Sequence, residues 1–213
     1  MDSGKRSKEI IDTYNSIAGR YSEKYDSEAK DNNLLDSFIE QIKKSDARIL
    51  DLGSGTGRTS GYIKNKKPSF SILGIDFSDA MLEISHKNFP SLEFQKGDIE
   101  IFNAPPESFD GVIAQSSLFH LDKDELNHLS DRVYSFLKPG GVFGILMQVT
   151  DTYKCVSLPE PLMPELTMHL CFYSEGDLEE ILINSGFKIV TKQRNEIRGS
   201  EISNHNLLIV GTK

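Results

Sequence analysis

Apolar positions recur at steps of three and four through the first stretch of the chain. Ile10, Ile11, Tyr14, Ile17, Ala18, Tyr21 and Tyr25 form one stripe, and Leu34, Leu35, Phe38, Ile39 and Ile42 a second. This spacing predicts two amphipathic helices before residue 45, separated by the polar stretch Asp26 to Asn33. From residue 49 the pattern changes. Ile49 to Leu52, Ser71 to Ile75, Leu92 to Gln95, Phe109 to Ala114 and Val142 to Met147 are short apolar runs that predict buried strands.

Helical segments fall between these runs. One starts after Gly57, and another after Ser78, a good N-cap. A third runs from about Asp122 to Leu137, with Leu126, Leu129, Val133 and Phe136 on one face. Asp122 and Glu125 have capping-box spacing, and Lys138-Pro139-Gly140-Gly141 supplies the breakers. Past Pro159, Pro161 and Pro164, Ser174 opens a helix through Leu182 that Gly186 closes. Phe187 to Lys192 and Leu207 to Val210 are the last two strands, read as an antiparallel pair. The predicted class is α/β: a doubly wound, seven-stranded, mostly parallel sheet with an antiparallel last strand. One domain is expected over residues 1–213, with helices over 1–45 and the sheet core over 46–213.

Composition narrows the function. The chain has 213 residues, 38% hydrophobic and 26% charged, with a formal net charge of -8. Acidity of this size weighs against a phosphate-tracking nucleic-acid binder, so no nucleic-acid partner is expected. No apolar run reaches membrane-spanning length, and the first residues, Met1 to Arg6, lack the apolar core of a signal peptide. No membrane partner is expected, and the location is read as cytoplasmic. The two cysteines, Cys155 and Cys171, have neither knuckle spacing nor disulfide density. They are read as two reduced, packed thiols, and no metal is expected.

The most informative segment is Ile49-Leu50-Asp51-Leu52-Gly53-Ser54-Gly55-Thr56-Gly57-Arg58. A buried strand runs into glycines at every second position, and a helix follows. Such a loop lets a ligand touch backbone at a helix N-terminus. A dinucleotide site wants its last glycine at 58, where Arg stands, and no Lys-Ser/Thr pair makes a phosphate loop. Asp76 ends the next strand, where a carboxylate can accept both hydroxyls of a ribose. Capping the helix at Ser78 is its alternative role.

At these residues the chain resembles the class I S-adenosylmethionine-dependent methyltransferases, of the small-molecule type. The likeness covers nearly all of it: Asp51 to Gly57, Ile75 to Leu82, Gln95 to Ile99, Phe109 to Ile113, Leu137 to Gly141 and Ser185-Gly186-Phe187. The resemblance implies S-adenosylmethionine as cofactor. It assigns the methionine end to Asp51 and the backbone of Gly53 and Gly55, with Ser54 in the same loop. Asp76 would take the ribose, Phe77 would lie against the adenine, Asp98 would meet its amino group, and Ile99 would pack on the ring. Gln115 would sit under the methionine by its backbone. The segment Tyr14 to Tyr21 is similar to a lid helix, with Tyr14 and Tyr21 closing over the cofactor.

Methyl transfer from a sulfonium mainly needs positioning, and a base where the acceptor loses a proton. His120, past the fourth strand, is the placed candidate base, with a structural role at the following helix as its alternative. His169 is a weaker substrate-facing candidate. The Asn/Asp-Pro-Pro-aromatic motif of base-methylating relatives is absent after the fourth strand, where Gln115-Ser116-Ser117-Leu118 stands. Nor do two cysteines resemble an arsenic-binding set. The expected partner is a small-molecule methyl acceptor, with a loop over 150–172 shaping its pocket, in a monomer or homodimer. The alternatives are a non-catalytic cofactor-binding module and a nicotinamide oxidoreductase.

Overall fold

In the computed structural model, which describes residues 3–26, 33–196 and 205–213, the alternation of strand and helix closes into one seven-stranded sheet. The strands are β1 (Arg48–Leu52), β2 (Ser71–Asp76), β3 (Glu93–Lys96), β4 (Phe109–Gln115), β5 (Leu137–Gln148), β8 (Lys188–Glu196) and β9 (His205–Thr212). Their order is β3-β2-β1-β4-β5-β9-β8. The pairs from β3 to β5 are parallel; β9 pairs antiparallel with both β5 and β8. One reversed strand in seven is what the sequence predicts.

The period-two alternation explains the two layers. In β1, Leu50 and Leu52 face one apolar cluster with Leu126, Leu129, Val133 and Phe136 of α5 (Lys123–Phe136) and Leu178, Ile181 and Leu182 of α6 (Glu175–Asn184). Ile49 faces the other, with Phe38 and its neighbours on α2 (Asn33–Gln41) and Ile63 of α3 (Arg58–Lys66). The caps behave as the sequence indicates. Ser78 accepts from the Met81 N–H to start α4 (Asp79–Asn88), and Asp122 and Glu125 form a full capping box. The stretch 138–141 forms a bulge rather than a plain break, because Phe109 pairs with Leu137 while Gly111 already pairs with Val142.

The first helix, α1 (Ser3–Tyr25), lies outside both layers. Ile17 and Ala18 pack on Met81 of α4 in a third, small cluster joined by Tyr14, Tyr21, Leu162 and Met163. The polar separator after Asp26 falls on residues 27–32, outside the described ones.

Two expectations are corrected. The stretch 150–172 is not irregular: β6 (Lys154–Glu160) and β7 (Met163–Phe172) form a separate antiparallel hairpin. Its tip is held by Glu160, buried, whose carboxylate accepts from the Leu162 and Met163 N–H groups, while Arg20 of α1 donates to the Leu162 carbonyl. The cysteines are not separate reduced thiols either. The hairpin sets Cys155 opposite Cys171, and the two are joined as a disulfide. Among the described residues no helix is long and apolar enough to cross a membrane.

Candidate active site

The sheet changes direction between β1 and β4, and open α/β sheets bind ligands at the carboxyl ends of strands beside such a point. The loop after β1 turns there on left-handed backbone at Gly53 (φ 71°) and Gly55 (φ 52°). A Cβ on Gly53 would stand 2.3 Å from Ser117 Cβ, so no side chain fits; one on Gly55 would enter open space. Gly53 and Ser54 donate their N–H groups to the Ile75 carbonyl. Asp76 completes the tie: one carboxylate oxygen accepts from the Gly55 N–H at 2.8 Å, the other from the Ser78 N–H at 2.9 Å. Burial raises the Asp76 carboxyl above its ordinary value, against the pull of these N–H bonds.

Around this tie lies a cavity of about 60 Å³. Of the residues expected at a site, Tyr14, Tyr21, Gly53, Gly55, Asp76, Phe77, Ile99, Gln115 and His120 all line it. Asp98 lines an adjoining cavity of about 30 Å³ that shares Phe77, Ile99 and His120. Its carboxylate also accepts from the Glu100 N–H at 2.9 Å, so it caps a turn at the same time. Gln115 turns its side chain to α3, accepting from Thr59 Oγ1 at 2.8 Å.

Asp51 and Ser54 are not brought to the cavity wall. The Asp51 carboxylate accepts from Ser60 Oγ at 2.6 Å, and burial pushes its pKa up to about 7. Ser54 Oγ is buried with no hydrogen-bond partner, against Gly74.

The roof is α1. The Tyr14 hydroxyl lies 3.0 Å from His120 Nε2, and the Tyr14 ring meets the His120 and Phe77 rings edge-on at 5.5 and 5.6 Å. Burial raises the Tyr14 phenol far above its ordinary value, so it stays protonated as a donor. His120 sits in a single 3₁₀ turn, Leu118–His120, that leads to α5. Sequence reasoning missed four residues here. Met81, Ser116 (φ 54°) and Ser117 line the cavity, and Asn15 of α1 accepts from Ser78 Oγ and the Ala80 N–H. The signal in reach was the pair of small residues after β4. His169 stands apart from this cavity, in one of about 170 Å³ between α1 and the hairpin, with Glu9, Thr13 and Ser157.

The residues fit a nucleoside with a charged, flexible tail. A carboxylate at a strand end suits a vicinal diol, the side-chain-free loop admits close approach, and Phe77 and Ile99 offer apolar faces to a flat ring.

A doubly wound sheet with one reversed strand, a G-x-G-x-G loop after β1 and an acid ending β2 define a class I methyltransferase fold. Residues 49–141 match the sequence profile of a family described as "Methyltransferase domain". A trans-aconitate 2-methyltransferase of Variovorax paradoxus is 32% identical over 101 residues, 47% of this chain and 38% of that protein. A malonyl-[acyl-carrier protein] O-methyltransferase of a Paenibacillus species is 27% identical over 180 residues, 76% of this chain and 63% of that one. The chain thus spans less than two thirds of each of these relatives. A crystal structure of the Burkholderia thailandensis 1,6-didemethyltoxoflavin-N1-methyltransferase, with its substrate and S-adenosylhomocysteine bound, superposes with a TM-score of 0.78 at 17% identity, covering 100% of this chain and 91% of that one. The match over residues 49–141 and the shared fold make the chain similar to S-adenosylmethionine-dependent methyltransferases.

Proposed function

We propose that the protein transfers a methyl group from S-adenosylmethionine to a small-molecule acceptor. The observation that carries this reading is the Asp76–Gly55 tie at the wall of the cavity beside the β1–β4 switch. The bound cofactor supplies a methyl on a sulfonium, a leaving group that needs no activation. The chain's own residues then bind, orient and exclude water.

In this reading Asp76 receives the ribose hydroxyls, and Phe77 and Ile99 flank the adenine with Asp98 at its edge. Gly53, Gly55 and the Gln115 backbone receive the methionine end. Asp51 acts from behind, by holding α3 to the loop through Ser60. Tyr14 and Tyr21 are the underside of a lid over residues 1–45 on a core of 46–213, the whole read as one domain. His120 Nε2 is engaged by the Tyr14 hydroxyl, which supports a latch role for this pair in place of the base role expected from sequence.

In this reading the acceptor approaches the cofactor cavity from the side of the hairpin, past the 170 Å³ cavity lined by Thr13, Ser157 and His169. The trans-aconitate and malonyl-carrier substrates of the relatives are acids; the toxoflavin precursor is a heterocyclic amine. A cytoplasmic location and a monomer or homodimer complete the proposal. In that compartment the thiol pool works against the Cys155–Cys171 bond.

Calorimetry with S-adenosylhomocysteine and with NAD, followed by a methyl-transfer panel of carboxylic acids and heterocyclic amines, tests it. Micromolar binding of S-adenosylhomocysteine, no comparable NAD binding and a methylated product are expected. Tight NAD binding without a response to S-adenosylhomocysteine would overturn it.

A further inference from the structure

The β6–β7 hairpin carries a cluster of metal-ligating groups, of which the methyl-transfer reading uses only His169, at the rim of the acceptor cavity. We propose that Cys155, Cys171 and His169 form a site for one soft divalent cation, of the zinc type, when the disulfide is reduced. This is independent of the methyl-transfer reading.

The placement follows from register. Cys155 pairs with Cys171, and Ser157 pairs with His169. Side chains two residues apart on a strand share a face, so all four project from the same side of the hairpin. The candidate ligand atoms of the two cysteines and His169 lie within 4.8 Å of one another. Around a tetrahedral zinc, with bonds of about 2.0–2.3 Å, ligand atoms stand roughly 3.5–3.8 Å apart. Rotation of the two thiol side chains away from each other spans that difference without moving the strands.

The surroundings also match those of a metal site. Ser157 Oγ lies 3.3 Å from His169 Nδ1. In the tautomer where Nδ1–H donates to Ser157, Nε2 is left as the ligand atom, the outer-shell arrangement that orients metal-binding histidines. The Tyr153 hydroxyl lies 3.0 Å from Cys155 Sγ and 3.8 Å from Cys171 Sγ, where it can donate to thiolate sulfur. Lys123 Nζ, 4.7 Å from the Tyr153 ring centre, is paired with Asp177, which offsets its charge. Cys171 is buried against the core while His169 is partly exposed, so a cation has both a wall and an access side. Three protein ligands leave a fourth position for water or another small ligand.

The disulfide and the cation-bound state exclude each other, because each uses both sulfurs. A dithiol reductant converts the disulfide to two thiols, gaining its own disulfide as two electrons and two protons pass to the protein. Cation binding then displaces the two thiol protons.

The test uses the whole chain, reduced with a phosphine, checked for two free thiols and moved into metal-free buffer. Cobalt(II) is added first and zinc second. One equivalent of cobalt is expected, with an intense thiolate-to-cobalt absorption band that zinc abolishes; the disulfide form gives no band. Ser157→Ala is expected to weaken zinc binding by about 10–100-fold, the range for losing an outer-shell partner. His169→Ala, which leaves both cysteines in place, is expected to weaken it at least as much. A reduced protein without the band, or zinc affinity unchanged in His169→Ala, overturns the proposal.

Discussion

The Tyr14 hydroxyl and His120 Nε2, 3.0 Å apart, join residues separated by 106 positions in the chain. The bond ties the roof of the site to the turn that follows β4. Burial keeps the phenol protonated, so in the Nδ1–H tautomer of His120 the Tyr14 hydroxyl donates to Nε2. Tyr14→Phe and His120→Ala are each expected to weaken cofactor binding by about 1–2 kcal/mol, the scale of one hydrogen bond with a buried partner left unpaired. Single-turnover transfer at saturating cofactor and acceptor should slow less than tenfold. A fall of about 10²–10⁴-fold in His120→Ala alone would restore His120 as the base.

Asp76 serves the loop as well as the ligand. Its carboxylate accepts from the Gly55 and Ser78 N–H groups. Asp76→Ala should weaken S-adenosylhomocysteine binding by about 1–3 kcal/mol in calorimetry. It should also lower the melting temperature by several degrees, at roughly 2–4 °C per kcal/mol for a chain of this size. Unchanged affinity would reduce Asp76 to a structural tie.

Two glycines of the same loop should respond unequally to alanine. At Gly53 a methyl meets Ser117 Cβ at 2.3 Å on left-handed backbone, whereas at Gly55 it meets nothing within 4 Å. Chemical denaturation should show Gly53→Ala losing about 2–4 kcal/mol, backbone strain and overpacking together. Gly55→Ala should lose about 1–2 kcal/mol, strain alone. Equal losses would contradict the close approach of Ser117.

Asp51 makes stability depend on pH. Its carboxyl titrates near 7 in the fold against an ordinary 3.8, because burial penalises the charge. The folded chain therefore holds this proton more tightly than the unfolded one. The resulting stabilisation is complete below about pH 4 and is lost as the pH rises through 7. Asp51→Asn should melt higher than the parent at pH 8, by on the order of 1–4 kcal/mol, and the gap should close near pH 4. A gap that widens toward acid would reverse the assignment.

In the proposed reading α1 is a lid over the cavity and swings out to admit a nucleoside. Removing residues 1–24 should leave the sheet folded, because α1 packs in its own small cluster on α4. By circular dichroism the core should persist. By stopped flow the cofactor should enter faster and leave faster still. Global unfolding of the shortened chain would make α1 part of the core.

Sequence patterning carried the sheet because most strands carry an apolar run and α4, α5 and α6 each open on a side-chain cap. The place of Gly53, Gly55 and Asp76 at the cavity was legible because each stands at the carboxyl end of a strand with a clear apolar run. The hairpin was hidden by Pro159, Pro161 and Pro164, which break the alternation that marks a strand, although in a two-stranded sheet prolines need not donate to a ladder. With the hairpin hidden, the meeting of Cys155 and Cys171 was hidden too. Asp51 reads two ways: its position in the motif suggests the ligand, while in the fold its carboxylate accepts from Ser60 of α3.

The placement of β9 bears on how the chain assembles. β8 precedes β9 in sequence, yet it touches the sheet only through β9, which lies between it and β5. During folding β8 and β9 can pair locally as a hairpin, but that pair joins the sheet only when β9 is laid against β5. That pairing spans a long sequence separation, from Val142–Gln148 to Asn206–Thr212, and contacts of this kind form late because closing the loop costs entropy before any bond rewards it. The backbone edge of β5 that β9 covers stays open to other chains in that interval. Refolding yield at high protein concentration is thus expected to follow the speed with which β9 reaches β5, far from the site where ligand binds.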